Sequence, residues 1–127
     1  MENLLIVDTD ETPAISLNLG LKNFSFKGRC FPENPIEFFT PIIEWFEAYI
    51  ENPLAKTTVE FDISYMNSSS SKMIFEIFFM LEKIINKSEV KIKWICEEED
   101  LSQEQGLELK SLTKCDLEII FKEETED

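Results

Sequence analysis

The segment Asn67-Ser68-Ser69-Ser70-Ser71-Lys72 carries the most distinctive chemistry in this chain. An alternating, strand-like run precedes it and a strongly apolar, helix-like run follows. The amides of a helix's first turn have no intrahelical acceptors, and the helix dipole favours an anion beside them. Lys72 adds a positive charge from the same turn. Two roles fit these residues. In one, Asn67 makes a side-chain turn and Ser69 or Ser70 caps the following helix. In the other, the junction holds a phosphate, either bound or attached to one of the serines. An attached phosphate adds up to about two negative charges and can block docking of an acidic or apolar partner. The roles are compatible, because a capping hydroxyl can also be exposed. Lysine after serines loosely resembles a phosphate loop, but the glycine-rich element that would wrap phosphates with backbone amides is missing, which argues against ATPase chemistry.

Little else in the sequence offers catalysis. Histidine is absent, which excludes serine–histidine and cysteine–histidine nucleophile systems. Cys30, Cys96 and Cys115 lie in or beside apolar runs and read as core thiols. Their wide separation does not suit zinc, and an odd count without a signal peptide fits a reducing cytoplasm. The acidic run Glu97–Asp100 lacks the spacing and glycine of a calcium loop and reads as a solvated turn. Arg29, the lone arginine, has a donor fork suited to a carboxylate or phosphate, with an ion pair to Glu33 or another core-edge acid as the simpler role. Trp45, Tyr49 and Trp94 read as core or interface aromatics. The expectation is a non-enzymatic protein with no cofactor and no metal. A net charge of -14, from 26 acidic and 12 basic residues, disfavours nucleic acid and anionic membranes while permitting a basic protein partner. The longest apolar run is too short to span a bilayer.

These residues must be positioned by alternating strands and helices. Ala14–Leu19 and Asn23–Phe31 read as a hairpin with Gly20 in the turn. Asn34, Pro35 and Glu37 form a helix start, followed by Ile36, Phe39, Ile43, Phe46 and Ile50 at helical spacing. Pro41 predicts a kink there, or a fresh start with Thr40 as cap. In Lys56–Met66, Val59, Phe61, Ile63 and Tyr65 share one face. Met73–Ile85 reads as a helix with Ile74, Ile77, Phe78, Leu81 and Ile85 on its stripe and Phe75 and Phe79 on a flank. That flank is either covered in the core or a partner surface, and it leaves self-association open. Val90–Cys96 is a further strand, Leu101–Leu112 a weaker helix interrupted by Gly106, and Leu117–Phe121 a last strand. The expected domain covers residues 12–122, with residues 1–11 as a tail or edge strand and residues 123–127 as an acidic tail. The pattern is α/β (α+β): a mixed sheet with helices on a face and right-handed parallel crossovers.

Several segments together resemble the SiaC family of bacterial regulatory phosphoproteins. Gly28-Arg29-Cys30-Phe31-Pro32-Glu33-Asn34 is similar to the family's glycine-arginine-serine-tyrosine-proline-glutamate-asparagine segment. Phe38-Phe39-Thr40-Pro41-Ile42-Ile43-Glu44-Trp45 resembles its aromatic-proline-tryptophan helix. Tyr65-Met66-Asn67-Ser68-Ser69-Ser70-Ser71-Lys72 resembles its tyrosine-x-asparagine-threonine-serine-serine-serine-lysine motif. Thr12-Pro13 at the domain start and Trp94 before the acidic stretch also match. The resemblance implies a STAS-like sheet with three to four helices and a partner-switching role. It implies a cognate kinase-like protein that phosphorylates the junction, a PP2C-type phosphatase that reverses this, and an output protein such as a diguanylate cyclase. The output then concerns cyclic-di-GMP and biofilm formation. The matching acceptor is Ser68, which keeps the hydroxyl of the family's threonine and loses a methyl. Asn67, Ser69, Ser70, Ser71, Lys72 and Arg29 become its surroundings and partner contacts. Cys30 and Phe31 replace a serine–tyrosine pair and remove two hydroxyls. The alternative function is a small-ligand or nucleotide sensor that uses the helix start after Asn67 as an anion site.

Overall fold

The computed structural model describes residues 1–122, so the expected acidic tail at residues 123–127 lies outside the described residues. In chain order the elements are β1 (Leu4–Ile6), β2 (Ala14–Asn18), β3 (Asn23–Cys30), α1 (Pro35–Tyr49), β4 (Lys56–Met66), α2 (Ser68–Glu82), β5 (Glu89–Cys96), α3 (Leu101–Leu112) and β6 (Asp116–Phe121). The strands make one 6-stranded sheet in the order β1-β2-β3-β4-β5-β6. The first three strands are antiparallel neighbours, and β3 through β6 run parallel. Each parallel connection contains a helix. Right-handed crossovers that always step in one direction place every helix on the same face. Burial agrees: Val59, Phe61 and Ile63 of β4 and Ile92, Trp94 and Cys96 of β5 are buried, while Glu60, Asp62, Lys91 and Lys93 between them are half-buried. The uncovered face is a charge ladder in which Lys93 sits between Glu60 and Glu118 in register. Lys91 pairs with Glu118 at 2.9 Å and Lys122 with Asp62 at 2.8 Å. This is the mixed α+β, STAS-like architecture expected from the sequence, with three helices.

Aromatic rings fill the space between sheet and helices. Phe61 stacks on Phe26 at 4.6 Å and on Trp94 at 5.7 Å, and meets Phe78 of α2 edge-on at 5.4 Å. Trp45, Tyr49 and Trp94 are all core residues. The buried polar groups around Tyr49 are bonded to one another, as burial favours. The Tyr49 hydroxyl shares a hydrogen bond with Thr57 Oγ1 at 2.7 Å and accepts from the Leu54 amide at 3.1 Å, and Thr57 continues to Ser88 Oγ at 2.6 Å. The N-terminal apolar patch forms the edge strand β1, and the Trp45 indole donates to the Glu2 carbonyl at 2.8 Å.

The helices depart from the sequence expectations in four places. First, α1 runs through Pro41 as one helix, so the fresh start with Thr40 as cap is not taken. Pro41 is exposed, so water can satisfy the carbonyl left unpaired, and Thr40 Oγ1 donates to the Ile36 carbonyl at 2.6 Å. Second, the buried stripe of α1 is Phe39, Ile42, Trp45, Phe46 and Tyr49; Ile36 is 70% exposed. The larger aromatic area sets the rotation of the helix. Third, α2 starts at Ser68 rather than Met73, and Ile84 instead of Ile85 is buried beyond its end. Fourth, Gly106 does not interrupt α3. It packs directly against the sheet: a Cβ there would lie 2.3 Å from Trp94 Cδ1.

Candidate functional site

The site is built at the junction of β4 and α2. Asn67 stays in extended backbone (φ -83, ψ 170), and its amide oxygen accepts from the Ser70 N–H at 2.9 Å. The Ser71 N–H bonds to the Asn67 carbonyl at 3.0 Å. Asn67 is therefore the N-cap itself, which corrects the expectation that Ser69 or Ser70 performs that role. Its side chain reaches the third helical amide, as Asn does at this position. The amides of Ser68 and Ser69 are left as the unpartnered donors of the first turn. Asn67 is also held from outside, by donation of its N–H to the Cys30 carbonyl at 3.2 Å.

The helix pitch separates the four serines. Ser68 and Ser69 are exposed, Ser71 is half-buried, and Ser70 is fully buried. Among the described residues the Ser70 hydroxyl has no hydrogen-bond partner. It lies beside Cys30, whose pKa burial pushes up to about 11, with Ser70 acting weakly in the opposite direction. The hydroxyl and the thiol are close, but they fall short of hydrogen-bond geometry. Cys30, Cys96 and Cys115 are all free and buried, and burial raises each thiol's pKa. They have the opposite of nucleophile character.

Ser68, Ser71 and Lys72 form one wall of an open cleft of about 500 Å³, and Leu101, Gln105 and Glu108 of α3 form the other. Tyr65, Met66 and Asn67 line its base. Ser69 and Ser70 are not part of it. The α3 wall is fixed at three points. Asp100 caps the helix by accepting from the Ser102 N–H at 3.4 Å, and also accepts from Ser102 Oγ at 2.8 Å, bonds that lower its pKa. The Trp94 indole donates to the Ser102 carbonyl at 2.8 Å, and Gln105 Nε2 donates to the Met66 carbonyl at 3.1 Å. The acidic run Glu97–Asp100 is thus the turn that starts α3.

Arg29 does not line the cleft but is the strand neighbour of Tyr65, which does. The register slips between Gly28 and Arg29, leaving Ser64 of β4 as the extra residue and Arg29 opposite Tyr65. Gly28 takes φ +133 where it passes 3.3 Å from the Pro13 backbone, measured from an added Cβ. Cys30 turns inward, so its neighbour Arg29 turns outward and is exposed. Arg29 makes no ion pair among the described residues, so the expected bond to Glu33 is not formed. The sequence reading missed Leu101, Gln105 and Glu108, which enter the cleft from a helix more than thirty residues along the chain. Their spacing of four and three residues marks one face of α3, distinct from its buried face of Ser102, Gly106 and Leu109.

Comparison with known proteins gives this geometry a context. Residues 6–122 match the model of the SiaC family of regulatory phosphoproteins. The structure of SiaC of Pseudomonas aeruginosa superposes with a TM-score of 0.86 at 25% identity, covering 96% of this chain and 100% of that one. Apo-SiaC from the same organism gives 0.86 at 26% identity, covering 94% and 99%. A third structure holds SiaC as the activator in complex with the diguanylate cyclase SiaD, again with a TM-score of 0.86 at 25% identity and the same coverage. An uncharacterised protein of Pseudomonas aeruginosa strain UCBPP-PA14 is 31% identical over 83 residues, 65% of this chain and 66% of that protein. No helix among the described residues is long and apolar enough to cross a membrane. The chain belongs to the SiaC family of regulatory phosphoproteins, whose work in partner-switching modules is regulatory and non-catalytic.

Proposed function

We propose that this chain is a phospho-switch whose acceptor is Ser68 and whose unphosphorylated form binds and activates a diguanylate cyclase, as SiaC does SiaD. One observation carries the assignment of the acceptor: of the four serines, Ser68 alone is both exposed and set in the cleft wall. A phosphate there sits beside the unpartnered amides of Ser68 and Ser69, at the positive end of α2 and one turn from Lys72. The fold therefore tolerates the modification. A docked partner does not, because closing the cleft over the dianion strips it of water. A cognate kinase-like protein and a PP2C-type phosphatase set the two states, and Asn67, Ser69, Ser71 and Lys72 form their immediate recognition surface. The three free buried thiols suit a reducing cytoplasm. Incubation with the cognate kinase and ATP, followed by mass-spectrometric mapping, tests the acceptor. Phosphate on Ser68, lost in Ser68→Ala, is expected. Phosphate confined to Ser69 or Ser71, or absent, would refute the assignment.

A further inference from the structure

A second groove runs between α1 and α2 on the outer surface of the helix layer, away from the cleft. Its volume is about 400 Å³, with Ile43, Ile50 and Met80 as an apolar floor and Glu47, Glu51 and Glu76 on its rim. Lys83 is the one basic residue there. The acidity extends along α1, because Glu33, Glu37, Glu44, Glu47 and Glu51 are exposed and the segment from residue 33 to residue 51 contains no lysine or arginine. A second copy of this chain, itself at net charge -14, is repelled from such a surface, and so is an anionic membrane. We propose that the groove docks a basic amphipathic helix of a protein partner, its apolar residues on Ile43, Ile50 and Met80 and its lysines or arginines on the glutamates. Helix-in-groove recognition supplies the pattern, and complementary charge sets orientation and association rate.

This docking is independent of the switch. Ser68 and Glu76 are eight residues apart on α2, about 12 Å along the axis at 1.5 Å per residue. That exceeds the screening length of about 8 Å at physiological salt, so a phosphate on Ser68 hardly reaches the groove. The chain would then hold one partner continuously while releasing another on phosphorylation.

The test uses the full chain and a labelled synthetic amphipathic peptide with leucines at helical spacing flanked by lysines. A scrambled peptide of equal composition is the control. Backbone and methyl shifts should cluster on Ile43, Ile50 and Met80, and the scrambled peptide should bind at least about tenfold more weakly, a difference near 1.4 kcal/mol. The exposed-site double variant Glu47→Lys/Glu76→Lys should lose at least about tenfold in affinity, while Ser68→Asp should change it by less than about twofold. Equal binding of both peptides, shifts mapping elsewhere, or an unaffected charge-reversed variant would overturn the proposal. So would a sedimenting dimer of the free chain that the double variant dissociates, because the groove's occupant would then be a second copy.

Discussion

Replacing Gly106 by alanine separates two accounts of α3. An isolated helix gains about 1 kcal/mol from this change, because glycine is a poor helix former. Here the new methyl would sit 2.3 Å from Trp94 Cδ1 and 2.6 Å from Nε1. The indole cannot step aside freely: it is fully buried, stacked on Phe61 and tied to the Ser102 carbonyl at 2.8 Å. Overpacking a core costs about 1–3 kcal/mol. Breaking the indole bond inside the protein costs about 1–3 kcal/mol more. Offset by the helical gain, the net destabilisation is about 1–5 kcal/mol, the middle of which is roughly 10 °C in midpoint for a chain of this size. Urea unfolding followed by circular dichroism measures it, with Trp fluorescence reporting the indole's surroundings. Because α3 also forms the Leu101–Gln105–Glu108 wall, Gly106→Ala should weaken cyclase binding without touching Ser68. A variant as stable as the parent, or more stable by the propensity gain, would refute the reasoning that Gly106 is there for close packing.

Other consequences follow from the same geometry. Asn67→Ala removes the cap on the Ser70 amide and should cost about 1 kcal/mol in stability by urea titration, whereas Asn67→Asp should retain most of it. Tyr49→Phe removes the acceptor of the half-buried Leu54 amide and leaves the Thr57 hydroxyl with Ser88 alone, and should destabilise by about 1–3 kcal/mol, read as an earlier urea midpoint. Cys30 has its pKa raised from 9.0 to about 11 in the folded chain, so the folded state holds its proton longer than the unfolded one. Its contribution is complete below about pH 9 and is lost as pH rises toward 11. Cys30→Ala should flatten that alkaline decline in a pH series of urea midpoints, by up to about 2–3 kcal/mol.

The strands were legible because burial on one face leaves a period of two. Val59-Phe61-Ile63 and Val90-Ile92-Trp94 announce both the strands and the side they bury. The start of α1 was equally plain, since Asn34 accepts from the Glu37 amide at 3.1 Å and donates to its carboxylate at 3.2 Å. The errors share a cause: local propensity was overruled by contacts distant in sequence. Gly106 reads as a helix breaker until Trp94 is placed beneath it. Pro41 admits a fresh start at Thr40 until its exposed position within one continuous helix is known. Ser69 or Ser70 reads as the cap until Asn67 is seen to be tied to the Cys30 carbonyl across β3 and β4. The cleft was half visible for the same reason: Asn67–Lys72 is one contiguous motif, whereas Leu101, Gln105 and Glu108 join it only through the packing of α3. Arg29 was grouped with the site through the family-like segment Gly28–Asn34, and the register slip at Gly28 sets it opposite Tyr65 of the cleft lining.

The central claim is that charge at Ser68 decides whether the cleft accepts a partner. The most direct measurement is calorimetric affinity for the cognate diguanylate cyclase, comparing unmodified chain with chain phosphorylated stoichiometrically on Ser68. Like-charge juxtaposition and desolvation of a dianion cost several kcal/mol at an interface, which predicts at least about a hundredfold weaker binding of the phosphorylated form. Equal affinity of the two forms would contradict the account.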